Sequence, residues 1–321
     1  MTTCLPLCLA LGLLHSSTAG ALAWLTDFDR ALAQARSEGK LVLVHFAAAD
    51  RPLADAMQRD AFADPRVVAL VSQRLISVRL TLPDEAARFD ALVGGHGALA
   101  TCIVDATGDV LSSLAGHKDA EAFLQFVCKA LDGEPRLQQA RAAAAERPAD
   151  AQALFALALA YLELDSQRRA LQMLERIVAL PTAGEPYRAL AHERLARLCA
   201  LKGRNRDARA HLAQFRALDA AATRDRRDNA LLTEALVCGV EMKYADAIRA
   251  LGELLAQYPD SDEIDQAQFV SGVIYHEAGD DQRSLHQLNL VIAQYPQSPW
   301  CSAARRQIEH NQQSPAGSHR H

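Results

Sequence analysis

The sequence predicts an α/β domain followed by an all-α helical-repeat solenoid. Three observations carry that prediction. Residues 24–132 alternate helical apolar spacing with short runs of β-formers. Beyond residue 133 the strand pattern stops. Small residues then recur 37–39 positions apart, at Ala170, Ala208, Ala247 and Ser284. The length of 321 residues suits two domains at ~100–200 residues each. A 5% aromatic content and abundant alanine favour helix. The net charge of −5 provides no basic excess for nucleic acid.

In the first domain, residues 27–38 place Phe28, Leu32 and Ala35 on one helical face, and Gly39 stops the helix. Leu41–Phe46 is a continuous apolar run, as for a strand buried on both faces. Helical patterns follow at residues 52–62, 67–72 and 83–93, with a strand at 75–80. The cluster Gly94-Gly95-His96-Gly97 lacks the Lys and Ser/Thr of a phosphate cradle and suits a chain reversal. Residues 100–104 and 110–114, joined by Asp105-Ala106-Thr107-Gly108, make a hairpin. Residues 120–131 close the domain as a helix, and the linker 133–150 follows, its stretch 134–145 a linker helix or a degenerate half-repeat.

This order of elements is the thioredoxin arrangement. The residues Trp24, Phe28, Ala31, Ala35, Gly39-Lys40-Leu41-Val42-Leu43-Val44-x-Phe46 and Phe62-x-Asp64-Pro65-x-Val67 resemble exported thioredoxin-like domains of the disulfide-reductase carboxyl-terminal type. The resemblance implies a Cys-x-x-Cys motif eleven and eight residues before Phe62. Those places hold Arg51 and Ala54, so the two redox positions are vestigial. Disulfide exchange needs one thiolate to attack and a second thiol to resolve, and neither residue can do so. The family's cis-proline is also absent from Ala98-Leu99-Ala100-Thr101, where a non-proline cis bond would cost ~2.5–4 kcal/mol. His45 stands at the family's buried acid and is expected to be a hydrogen-bonded strand residue.

Four units make up the second domain, residues 151–310. Unit one contains Leu154, Leu157-Ala158, Tyr161, Ala170, Leu174, Ile177 and Pro181. Unit two contains Leu195-Ala196, Cys199, Gly203, Ala208, Leu212 and Phe215. In unit three these become Glu234-Ala235, Cys238, Ala247, Leu251, Leu254 and Pro259, and in unit four Ser271-Gly272, Tyr275, Gly279, Ser284, Leu288, Val291 and Pro296. Small residues at the eighth and twentieth positions let two helices approach closely. The pattern resembles tetratricopeptide repeats, and Tyr258-Pro259-x-Ser261 and Tyr295-Pro296-x-Ser298 resemble repeat ends of bacterial envelope members. Residues 300–311 suit a capping helix, and 311–321 a disordered tail.

Residues 1–23 have an apolar core, Leu5–Leu14, then the small-x-small sites Ala19-Gly20-Ala21 and Ala21-Leu22-Ala23. That is a secretory signal pattern, too short to span a bilayer at ~20 residues, and the expected location is the bacterial periplasm. Removing it leaves five cysteines (Cys102, Cys128, Cys199, Cys238 and Cys301) with no CxxC and no metal spacing. Cys199 and Cys238 fall at the eleventh repeat position and read as small core residues. Acid pairs such as Asp260/Asp262 and the Asp-interleaved basic stretches 204–209 and 224–227 read as solvated.

No metal, cofactor or enzyme chemistry is expected. The expected function is an exported protein-interaction module, chaperone-like or an envelope assembly scaffold, binding a protein or peptide on the concave repeat face. The domain pairing resembles the chaperedoxin class, which joins an inactive thioredoxin fold to such repeats. The repeat frame puts Phe155, Leu159 and Glu163 on that face, then Glu193 and Arg197, then Asn229, Leu232 and Leu236, then Gln266, Phe269 and His276. Leu232, Leu236 and Phe269 are expected to be partly exposed there. The alternative is a redox accessory protein using one cysteine, Cys102 or Cys301.

Overall fold

The computed structural model describes residues 21–48, 56–93, 99–181, 184–218 and 226–313. The signal segment 1–20, the vestigial positions Arg51 and Ala54, the glycine cluster 94–97 and the tail from 314 lie outside them. The chain forms two compact units. One comprises residues up to Pro135 together with Glu163–Ser166, and the other comprises Arg136–Leu162 and Gln167 onward.

The first unit is built on a five-stranded sheet of order β1-β3-β2-β4-β5. The strands are β1 (Trp24–Leu25), β2 (Leu41–Ala48), β3 (Leu75–Leu82), β4 (Leu99–Val104) and β5 (Val110–Ala115). β1 and β2 flank β3 in parallel, while β4 and β5 run antiparallel. β2 is central, and its Val42, Leu43, Val44 and Phe46 have no exposed surface, which explains the unbroken apolar run. Helix α1 (Phe28–Glu38) starts where the Asp27 carboxylate accepts from Arg30 N and stops at Gly39, whose φ of 63° suits glycine. Helix α2 (Pro65–Arg74) is capped by Asp64, with proline in the first turn. Helix α3 spans Ala86–Leu92, and a π-helical turn covers Gln58–Phe62. The β4–β5 turn is tied by Asp105, which accepts from Thr107 N and Asp109 N at 2.8 and 3.0 Å.

The two helices expected at 120–131 and 134–145 are one. Helix α4 runs from Ala120 to Glu146 with Pro135 inside it. An interior proline removes one backbone hydrogen bond. The helix persists because Phe123, Val127 and Ala130 before it, and Leu137, Ala140 and Ala144 after it, are all buried. The two-residue strand β1 also escaped the periodicity analysis, being too short to alternate.

Every later element among the described residues is a helix. α5 (Ala151–Glu163) and α6 (Gln167–Ala179) form unit one; α7 (Glu185–Leu201) and α8 (Asn205–Leu218) form unit two. α9 (Arg227–Val240) with α10 (Tyr244–Gln257), and α11 (Ile264–Glu277) with α12 (Asp281–Gln294), complete the array, followed by α13 (Trp300–Gln313). The small-residue rule has a direct physical basis at Gly272. A Cβ there would lie 2.7 Å from Leu288 Cγ and 3.3 Å from the Ser284 carbonyl. The Tyr-Pro-x-Ser ends work as clasps. Ser261 Oγ donates to Asp228 of α9 and accepts from Glu263 N. Ser298 Oγ does the same with Asp265 of α11 and Trp300 N. Each serine therefore ties the segment that starts the next helix to the repeat before.

Candidate functional site

In the sheet unit, β2 ends just before the segment that holds Arg51 and Ala54. His45 on this strand is 1% exposed, and its Nδ1 shares a 2.9 Å hydrogen bond with Thr101 Oγ1. The rings of Trp24 and Phe62 stand 5.8 and 4.8 Å away. Burial, aided by the Arg79 charge, lowers the His45 pKa to about 3. The imidazole is thus neutral at ordinary pH and is no proton donor. Arg79 donates to Gln58 Oε1 at 2.6 Å and covers the Trp24 ring. Cys102 on β4 is fully buried, and burial pushes its thiol up to about 12. A thiol that stays protonated neither attacks a disulfide nor binds a metal. This counts directly against Cys102 as a single redox cysteine.

The residues expected on the partner face all lie on the first helices of the repeats. Phe155, Glu193, Leu232 and Phe269 are equivalent positions, as are Leu159, Arg197 and Leu236. Leu232 is a correction, since it has no exposed surface. It lies in a cluster with Leu231, Ala235, Ala267, Val270 and Ile274, because the first helix of the next repeat covers it. Phe155 is also buried, its ring 6.1 Å from Tyr187. Phe269 is half-buried and stacked on Trp300 of the capping helix at 5.0 Å. Leu159 and Leu236 are half-buried, and Glu163 is exposed in the short segment counted with the first unit. His276 is 4% exposed and turned toward Asp281, 2.7 Å from its Nδ1. An apolar groove is not what these residues make.

Charge takes its place. Arg197 of α7 reaches two repeats along the chain to Glu263 and Gln266 at the start of α11, with Nη2 to Glu263 Oε2 at 2.8 Å. Arg194 stands 3.3 Å from Glu193 and 3.8 Å from Glu263. Glu193, Arg197 and Gln266 of the expected set are thus brought together, joined by Arg194 and Glu263, which sequence reasoning missed. Glu193 is 0% exposed. Neither of its oxygens accepts a hydrogen bond from a described residue, and Asn229 Oδ1 is likewise unserved. Burial raises the Glu193 pKa against the pull of Arg194 and Arg197. At Glu263 burial also pushes upward, but the hydrogen bond and charge of Arg197 outweigh it and leave the carboxyl lowered. One available signal was the repeat frame itself, which puts a carboxylate where its sister repeats carry Phe, Leu and Phe.

A family model described as thioredoxin-like matches residues 23–105. A tetratricopeptide-repeat model matches residues 152–181, 240–261 and 266–298. The chain is a thioredoxin-like domain followed by tetratricopeptide repeats. Among solved structures, a DsbH oxidoreductase is 17% identical, with 38% of this chain and 93% of that one covered at a TM-score of 0.33. The structure of MamA protein is also 17% identical, with 50% of this chain and 82% of that one covered at a TM-score of 0.37. No curated protein matches the chain. The tetratricopeptide repeats indicate protein partners, and together the two domains support a protein-interaction module. The thioredoxin-like domain leaves a redox role open. In the repeats, Cys199 and Cys238 are free thiols, 2% and 3% exposed, and pack as apolar core residues. No helix among the described residues is long and apolar enough to cross a membrane.

Proposed function

We propose that the chain is an exported interaction module that docks a partner protein or peptide on the first-helix face of its tetratricopeptide repeats. The centre of that face is Arg194, Arg197, Glu263 and Gln266, with Leu159, Leu236 and Phe269 around it. The thioredoxin-like domain is non-catalytic in this reading. One observation carries the proposal: Glu193, a buried carboxyl without a hydrogen-bond donor among the described residues, sits beside this charged centre in an otherwise apolar repeat position. Burying an unserved carboxyl costs stability whether or not it ionises, and well-packed apolar residues often serve stability better. A feature that costs stability fits a surface kept for binding. Export rests on the Leu5–Leu14 core and the Ala-x-Ala site that follows it. Of the two candidates of the single-cysteine alternative, Cys102 is weakened by its protonated thiol, which leaves the free, half-buried Cys301.

The test is affinity capture of the mature chain's partner from an envelope extract, followed by binding isotherms. Arg197→Met and Leu236→Asp should each weaken binding at least about tenfold, as expected for a central contact. Arg51→Ala should leave it within about twofold. Circular dichroism checks that each variant is folded. Normal binding by both repeat variants, with loss in Arg51→Ala, would move the site to the thioredoxin-like domain. Amino-terminal sequencing of the secreted form should begin at Leu22 or Trp24; an intact Met1 in the cytoplasm would refute export.

A further inference from the structure

Four large apolar side chains are markedly exposed among the described residues, and three of them lie at two neighbouring turns. Leu201 is 54% exposed, Val240 57% and Met242 73%. Leu201 ends α7 in repeat two; Val240 ends α9 in repeat three, and Met242 follows in the turn. The two turns adjoin, because Cys199 and Ala200 share a buried cluster with Val237, and Arg209 bonds Glu241 across them.

Met242 is out of place by local rules. The turn between the two helices of each repeat passes through a left-handed residue: Asp165 (φ 58°), Gly203 (φ 68°), Met242 (φ 59°) and Gly279 (φ 92°). Glycine takes this conformation without strain, whereas a large side chain does not. Repeat three therefore accepts strain to hold out its most exposed apolar side chain.

Cations surround these tips. Arg204 is paired with Asp207, and Lys243 and Arg209 share Glu241. Lys202 and Arg206 have no ion-pair partner among the described residues. The corresponding turn of repeat four carries Glu277 and Asp280 instead. A broad anionic bilayer would be repelled there, while a segment two repeats long need not reach it.

We infer that the turn edge of repeats two and three is a second docking surface, which takes a polypeptide segment of apolar side chains interleaved with carboxylates. Leu201, Val240 and Met242 receive the apolar groups, and Lys202 and Arg206 the carboxylates. Exposed apolar patches ringed by charge commonly serve as such surfaces. The inference deepens the proposed function and rests on its protein-binding reading, but at a different place.

The probe is a phage-displayed library of short random peptides selected on the full mature chain. Enriched peptides should combine Asp or Glu with apolar residues. They should lose at least about tenfold in affinity on Met242→Gly or Lys202→Glu. Met242→Gly relieves the turn, so a folding defect cannot explain its loss. Peptides lost on Leu236→Asp but indifferent to Met242→Gly overturn this edge and leave the first-helix face standing. Peptides lost on Met242→Gly but not on Leu236→Asp or Arg197→Met support the edge without the proposed face. A selection with no peptide dependent on Met242 or Lys202, or phosphatidylglycerol vesicles that bind through Met242 where peptides do not, rejects the inference.

Discussion

His45 in the thioredoxin-like sheet and Glu193 in the second repeat are both titratable side chains with almost no exposed surface. The two units treat them differently. His45 shares a hydrogen bond with Thr101, lies between aromatic rings, and is neutral because its pKa is lowered to about 3. It costs the fold little near neutral pH. Glu193 has the cations Arg194, Arg197 and Arg226 nearby but no hydrogen-bond donor among the described residues, and its ionised form is disfavoured by burial. A buried polar group that is satisfied reads as core, whereas one left unsatisfied is a reason to look for a partner. By that measure His45 is at rest and Glu193 is not, although the sheet has one orphan of its own in the buried Arg79 Nε.

The largest effect expected on the sheet side comes from acid. The unfolded His45 takes a proton near its ordinary pKa of about 6.5, and the folded one only near 3. Its contribution to stability is complete above about pH 6.5 and is lost as pH falls from there toward 3. The total is on the order of 5 kcal/mol. Urea denaturation of wild type and His45→Gln at pH 7, 5 and 4 should show a shallower acid decline for the variant. Parallel declines would mean that His45 is not the acid-sensitive group.

A smaller effect tests how tightly a repeat closes. Gly272→Ala must push against Leu288 and the Ser284 carbonyl and should cost about 2 kcal/mol. Gly252→Ala, with nothing within 4 Å, should instead stabilise α10 by up to about 1 kcal/mol. Equal Tm changes would contradict the close approach. The smallest effect is at the clasp. Ser298→Ala loses the bonds to Asp265 and Trp300 N, and should cost about 1 kcal/mol, read as a Tm lowered by a few degrees.

These clasps and small residues were legible because they are local. Tyr295-Pro296-x-Ser298 and the Gly272–Ser284 spacing recur in the chain, as do the left-handed turn positions. The buried strand Leu41–Phe46 was equally plain, since a central strand has no solvent face to break its apolar run. Depth was not legible. The frame set Leu232 on the right helix, but the next repeat decides whether that side chain sees water. Nor could spacing show that Arg197 meets Glu263, 66 residues away. The fusion of the two expected helices at Pro135 failed for the opposite reason: a strong local breaker yielded to burial on both sides of it.

In the proposed function, Glu193 is kept for binding at the expense of stability. The most direct test of this is Glu193→Leu, measured for both thermal stability and affinity toward the captured partner. Leucine restores the apolar character of the sister repeats, and Arg194 and Arg197 keep Glu263 as counter-charge, so removing the unserved carboxyl should make unfolding harder by about 1–3 kcal/mol. Partner affinity should fall at least about tenfold over the same substitution. A variant that is no more stable than wild type, or that binds its partner undiminished, would contradict it.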